Sequence, residues 1–223
     1  MCGIAGFCGH TTDNLKQIRK MCDRMVYRGP DADGYFTDEN LGITLGHRRL
    51  SILDLSGNGA QPMRSASGRF VISYNGEIYN FDTLRRRLIT DGYVKQFRGT
   101  SDTEVILEAF EAYGLDAVRD MKGMFAIALF DFKARTLHLM RDRMGEKPLY
   151  YGMVNGHFAF ASDLHCLTAM EGFDNPISRE ALGAFVRYKS IPQPLSVYEH
   201  IYKLLHGSNC FALEFGNDCL CCD

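Results

Sequence analysis

The stretch Phe125-Ala126-Ile127-Ala128-Leu129-Phe130, followed by Thr136-Leu137-His138-Leu139-Met140, reads as two strands around a turn near Lys133-Ala134. A second pair follows. Leu149-Tyr150-Tyr151-Gly152-Met153 and His157-Phe158-Ala159-Phe160 flank Asn155-Gly156, a dipeptide suited to a two-residue hairpin. Neighbouring strands joined this way pair antiparallel and need no helical crossover. Upstream, short strands are expected over 2–8, 33–37, 42–49 and 69–74. The whole reads as an α+β layered domain of mainly antiparallel strands. The pattern alone leaves open whether there is one sheet or two.

Helices separate these strands. Thr12 and Asp13 open one, with Leu15, Ile18, Cys22 and Met25 on an apolar face, and Arg28-Gly29-Pro30-Asp31 stops it. Asn80 is placed to cap a second, with Phe81, Leu84 and Leu88 on one side and Gly92 at its end. Ser101 and Glu104 form a capping box before a third, closed by Gly114. Two shorter helices are expected near 163–170 and 178–187, and Ser56-Gly57-Asn58-Gly59 marks a loop within 51–61.

Composition narrows the function classes. Apolar residues make up 46% of 223, enough for a sizeable core, and the net charge of −2 points to neither nucleic acid nor an anionic membrane. No apolar run approaches the roughly 20 residues of a membrane helix. Eight cysteines without a signal peptide suggest free thiols in a reducing compartment, so a cytoplasmic protein is expected. No zinc-finger spacing and no P-loop is present, and no metal site is expected.

Chemistry enters at Met1-Cys2-Gly3-Ile4-Ala5-Gly6. Once the methionine is removed, Cys2 carries a thiol and a free α-amine on one residue. Their ordinary pKa values, about 8.5 and about 7.7–8.0, let the amine take the thiol proton near neutrality. Read locally, Cys2 is better taken as an ordinary buried cysteine at the start of a strand; the rest of the chain reverses this and favours the nucleophile. An attacking thiolate needs donors for the oxyanion it creates. The Asn75 amide and the Gly76 backbone N–H could supply them at the end of the 69–74 strand, though Asn-Gly is also a common hairpin turn. Arg49 can grip a carboxylate with two prongs, and Asp102, at a helix start, can face an ammonium. Each has a plainer reading, as a surface arginine and as a helix-dipole partner.

Taken in order, Met1–Gly6, Arg28-Gly29-Pro30-Asp31, His47-Arg48-Arg49-Leu50-Ser51-Ile52, Asn75-Gly76-Glu77-Ile78-Tyr79-Asn80, Ser101-Asp102-Thr103-Glu104 and the run Arg141–Tyr150 resemble the N-terminal glutaminase domain of glutamine-hydrolysing asparagine synthetases. That domain is a class II glutamine amidotransferase and an N-terminal nucleophile hydrolase. The resemblance implies a four-layer αββα sandwich and assigns Cys2 as nucleophile, with Asn75 and the Gly76 backbone as oxyanion hole. It implies that Arg49 binds the carboxylate of L-glutamine, that Asp102 and Glu77 hold its α-amino group, and that loop 51–61 borders the pocket.

The resemblance runs to about residue 200. The expected division is a glutaminase domain over 1–205 and a divergent tail over 206–223. The synthetase domain's Ser-Gly-Gly-x-Asp-Ser phosphate loop is absent from these residues, so no cofactor is expected in this chain. ATP and Mg would belong to a separate synthetase domain or subunit, the expected partner, and a homodimer is left open. Two other readings stand beside this one: a glutaminase feeding a different acceptor, such as a polysaccharide precursor, and a non-catalytic regulatory remnant.

Overall fold

A computed structural model describes residues 1–51, 59–213 and 219–221 of the chain. In chain order the elements are β1 (Gly3–Cys8), α1 (Asn14–Asp23), β2 (Ala32–Asp38), β3 (Ile43–Arg49), β4 (Met63–Arg64), β5 (Phe70–Ile78), α2 (Phe81–Thr90), α3 (Asp102–Tyr113), β6 (Gly123–Asp131), β7 (Thr136–Arg141), β8 (Tyr150–Val154), β9 (His157–Ala161), α4 (Leu164–Leu167), α5 (Arg179–Tyr188), β10 (Ile201–Lys203), β11 (Asn209–Leu213) and β12 (Cys219–Cys221).

The described strands form two six-stranded antiparallel sheets, ordered β10-β8-β9-β1-β3-β2 and β12-β11-β7-β6-β5-β4. The alternation of side chains along each strand sorts the core into three slabs. Ile4, Leu45, Ala126, Ala128, Phe130 and Phe160 pack between the sheets. Ala5 and Phe7, on the other face of β1, pack with Ile18, Met21 and Cys22 of α1. Phe125, Ile127 and Leu129, on the other face of β6, pack with Leu84 and Leu88 of α2 and with Ile106 and Phe110 of α3. The result is the expected α-β-β-α stack. β11 and β12 lie in the stretch beyond residue 205, where β11 pairs with β7 along Asn209–Leu213.

Several local expectations hold. The β8–β9 hairpin turns at Asn155-Gly156, with φ of 48° and 77°, the left-handed pair that such a turn requires. Gly92 and Gly114 end their helices with φ of 78° and 69°.

Others are corrected. Leu15 is 43% exposed, because the first turn of α1 buries Asn14 and Gln17 instead. The α1 helix stops at Asp23, and a 3-10 turn over Val26–Arg28 leads into Gly29. The side chain of Asn80 does not cap α2; it ties the backbone of Asp120 and Lys122 at 2.9 and 2.8 Å. Ser101 caps α3 by accepting from Thr103 N, but Glu104 binds the N–H groups of Arg98 and Gly99 rather than closing a capping box. Most of loop 51–61 lies outside the described residues.

Candidate active site

Asn75-Gly76 is not a turn. β5 runs straight through it, paired with β6 in unbroken register from Phe70↔Asp131 to Ile78↔Gly123. Paired residues in an antiparallel ladder alternate between exchanging hydrogen bonds and pointing them outward. Phe125 gives its N–H to Asp142 Oδ2 at 3.2 Å and accepts from Asp142 N at 2.9 Å, so its partner Gly76 also points its backbone groups away from β6. The even-numbered residues of β5 therefore face the strand's other side. Ile72 meets β4 there, Tyr74 N donates to Gln61 Oε1 at 2.6 Å, and Ile78 N donates to Asp102 Oδ2 at 3.1 Å. Gly76 sits between these last two and presents its N–H to a cavity. Its missing side chain is also structural: a Cβ would lie 2.3 Å from Met124 O.

Asn75 has the opposite phase and faces the other sheet. Its side chain is 1% exposed, and its Nδ2 is buried without a hydrogen-bond partner. A buried amide left unpaired costs about 1–3 kcal/mol unless something else occupies the donor. The cavity it lines, about 120 Å³, is shared with Cys2, Arg49, Glu77, Asp102 and Lys147.

Cys2 stands at the head of β1, half-buried, with Leu50 N donating to its Sγ at 3.3 Å. The segment after Tyr27 places it. Arg28 Nε donates to Cys2 O at 3.2 Å, and Asp31 binds the end of β3 through Asp31 N to Arg49 O and Ser51 N to Asp31 Oδ2, at 3.0 and 2.7 Å. Gly29 lets the chain pass against Arg48, where a Cβ would lie 2.4 Å from a backbone carbon.

The two sheets are pinned across the cavity's floor. Ser73 Oγ donates to Gly46 O at 3.0 Å, and His47 Nε2 reaches Tyr74 O at 3.1 Å. A carbonyl can only accept, so Nε2 carries the proton. Burial pushes the His47 imidazole down to about 4, against the raising effect of that bond, so it is neutral near pH 7.

Asp102, 4% exposed, accepts from Tyr74 Oη at 2.7 Å as well as from Ile78 N. Burial raises its carboxyl, and these hydrogen bonds partly oppose the rise. Burial and the Asp102 charge together raise the Tyr74 phenol, which stays protonated as the donor.

The structure thus brings all six predicted site residues, Cys2, Arg49, Asn75, Gly76, Glu77 and Asp102, to one cavity. Sequence reasoning passed over His47, Tyr74 and Lys147, which line it too, while Gly59 and Gln61 in its wall belong to loop 51–61, which the resemblance set at the pocket. His47 and Lys147 lie inside quoted motifs, and a question about what each motif buries would have found them. Among the described residues no cluster of His, Cys, Asp and Glu could hold a metal, and no helix is long and apolar enough to cross a membrane.

The family model described as glutamine amidotransferase domain matches residues 1–218. The chain is 39% identical over 213 residues to asparagine synthetase [glutamine-hydrolyzing] 1 of Bacillus subtilis, a match covering 93% of this chain and 33% of that protein. It is 35% identical over 223 residues to a putative asparagine synthetase [glutamine-hydrolyzing] 2 of Methanocaldococcus jannaschii, covering 92% and 42%. The chain therefore spans a third to two-fifths of the length of these relatives. Among solved structures, glutamine phosphoribosylpyrophosphate amidotransferase of Bacillus subtilis superposes with a TM-score of 0.70 at 17% identity, over 96% of this chain and 48% of that one, a likeness of fold. By its matched length and its identity to these relatives, the chain belongs to the glutamine amidotransferase domain family, in the class II form that its motifs resemble.

Proposed function

We propose that the chain hydrolyses L-glutamine to glutamate and ammonia through Cys2. The observation that carries this reading is the buried, partnerless Asn75 amide facing the cavity that holds the Cys2 thiol. In a protein from which Met1 has been removed, the Cys2 α-amine takes the thiol proton. The sulfur then attacks the side-chain amide carbon of glutamine. The oxyanion that forms is met by Asn75 Nδ2 and Gly76 N–H, donors fixed before the reaction begins. The α-amine passes its proton to the departing nitrogen, which leaves as ammonia and creates a γ-glutamyl thioester. Water cleaves the thioester, releasing glutamate and restoring the thiol. Arg49 binds the substrate carboxylate, and Asp102 with Glu77 receives its α-ammonium.

The relatives are named as asparagine synthetases, and most of their length lies outside the match. This supports a partner that uses ATP and Mg to activate aspartate and receives the ammonia. The present residues contain no phosphate-binding loop of that kind. The test is an amino-acid assay on the 223-residue chain with glutamine, aspartate and Mg-ATP together. Glutamate and free ammonia should accumulate at the same rate with or without aspartate and ATP, and Cys2→Ala should abolish both. Hydrolysis by a folded Cys2→Ala protein, or asparagine forming in step with ATP consumption, would refute the reading.

A further inference from the structure

Of the cavity-lining lysine, arginine, aspartate and glutamate side chains, Lys147 is the one that the proposed mechanism leaves unused. Its backbone is pinned on both sides: Lys147 N donates to Asp142 Oδ2 at 3.0 Å, and Lys147 O accepts from Arg141 Nε at 2.7 Å. Asp142 is itself fully buried and also accepts from the N–H groups of Met144 and Glu146, so the whole turn is rigid. The residue is only 4% exposed, and its Nζ donates to Met1 Sδ at 3.2 Å. A thioether is a weak acceptor, and a buried ammonium calls for a better one. Removal of Met1 takes even that partner away and frees the α-amine of Cys2.

We infer that Lys147 is a positioning residue that faces the freed α-amine of Cys2 and holds it in its neutral, basic form. The inference rests on the glutaminase reading above. Met1 is joined to Cys2 by one peptide bond, so the ammonium lies within about 9 Å of that nitrogen, a distance at which buried charges are little screened. A fixed positive charge there opposes protonation of the amine. The other charged or titratable groups around the site are the Cys2 thiol itself, Arg28 in the 3-10 turn, His47 and Arg49 on β3, Tyr74 and Glu77 on β5, Asp102 on α3, and Arg141 and Asp142 against the Lys147 backbone. His47 is neutral and Tyr74 protonated. Glu77 and Asp102 pull the amine toward its charged form, and Lys147 offsets them from the side on which Met1 departs.

The test compares processed parent, Lys147→Met and Lys147→Arg, each checked for Met1 removal by mass and for folding by circular dichroism. The acid limb of kcat/KM against pH should move upward by about 0.5–1 pH unit in Lys147→Met. Activity should recover toward the parent level at high pH, and Lys147→Arg should restore the limb. A merely structural role would lower activity at every pH. The second readout needs no catalysis: the amine is titrated by the Cα shift of 13C-labelled residue 2 in a Cys2→Ser background, with and without Lys147→Met. An unmoved amine titration and an unmoved acid limb overturn the inference. If the processed parent fails to hydrolyse glutamine, the glutaminase reading falls, while the amine titration still decides on Lys147. Lys147→Gln serves the same comparison should the methionine variant not fold.

Discussion

Two regions of this molecule hold cysteines a short way apart in sequence, and they prepare them for opposite fates. Cys2 sits at the open head of β1, half-buried, with a backbone N–H on its sulfur and a cavity in front of it. Cys22 is on the buried face of α1 with no exposed surface, in one cluster with Met21, Met25 and Cys166. Burial pushes the Cys22 thiol up to about 12, only partly relieved by the Arg48 charge, and raises Cys166 further still. A thiol that cannot ionise is not a nucleophile. The difference teaches that residue type decides little here. The place in the fold decides, because the head of β1 opens onto the cavity while the apolar face of α1 is closed against the sheet.

That cavity is also where the comparison can be broken hardest. Asn75→Ala removes a donor that has no protein partner, so the fold should keep its melting temperature. Loss of one oxyanion donor lowers kcat by about 10²–10³-fold, or about 2.7–4 kcal/mol. The measurement is glutamine hydrolysis alongside a thermal melt. A variant that hydrolyses glutamine within about threefold of the parent would remove Asn75 from the oxyanion site.

His47 sharpens the comparison from the side of the pins between the sheets. Its folded value, about 4, lies below the ordinary 6.5. Between these values the unfolded chain binds more protons than the folded one, so stability rises with pH across that window. Above pH 6.5 the imidazole is neutral in both states and its contribution is fully present; it is lost as pH falls toward 4. The loss amounts to about 3 kcal/mol. Chemical denaturation of parent and His47→Gln at pH 7.0 and pH 4.5 should show a flatter dependence in the variant. Equal pH dependence in the two would mean that His47 is not held neutral by burial.

The layers of the fold were legible because alternation along the strands and apolar faces on the helices are local signals. β6–β7 and β8–β9 needed only their own residues to be read. The site was legible through motifs, yet its geometry was not. Asn75-Gly76 carried two local meanings, and only pairing with a strand about 50 residues on chose between them. The same holds for Asp102, whose carboxylate is tied to Tyr74 and Ile78 by contacts more than 20 residues apart. Lys147 was invisible for a related reason: nothing in Gly145-Glu146-Lys147-Pro148 says that Asp142 will turn the chain back and send that ammonium to Met1.

The smallest expected effect belongs to the covered cysteine. Cys22→Ala removes one sulfur from a fully packed site, and the surrounding side chains Ile18 and Met21 are anchored on α1. Losing that buried volume costs about 1–2 kcal/mol. In a chain of this size the melting temperature should fall by about 2–8 °C. The cost falls in the slab between α1 and its sheet, on the face of β3 opposite the His47 pin, although Gly46, which backs the Cys22 sulfur, also accepts the Ser73 bond. Glutamine hydrolysis should therefore stay within about twofold of the parent, and limited iodoacetamide should still label one fast site, identified by peptide mass as Cys2. If Cys22→Ala instead removed the fast-labelling site, the reactive thiol would lie beneath the helix, and the contrast between the two regions would be reversed.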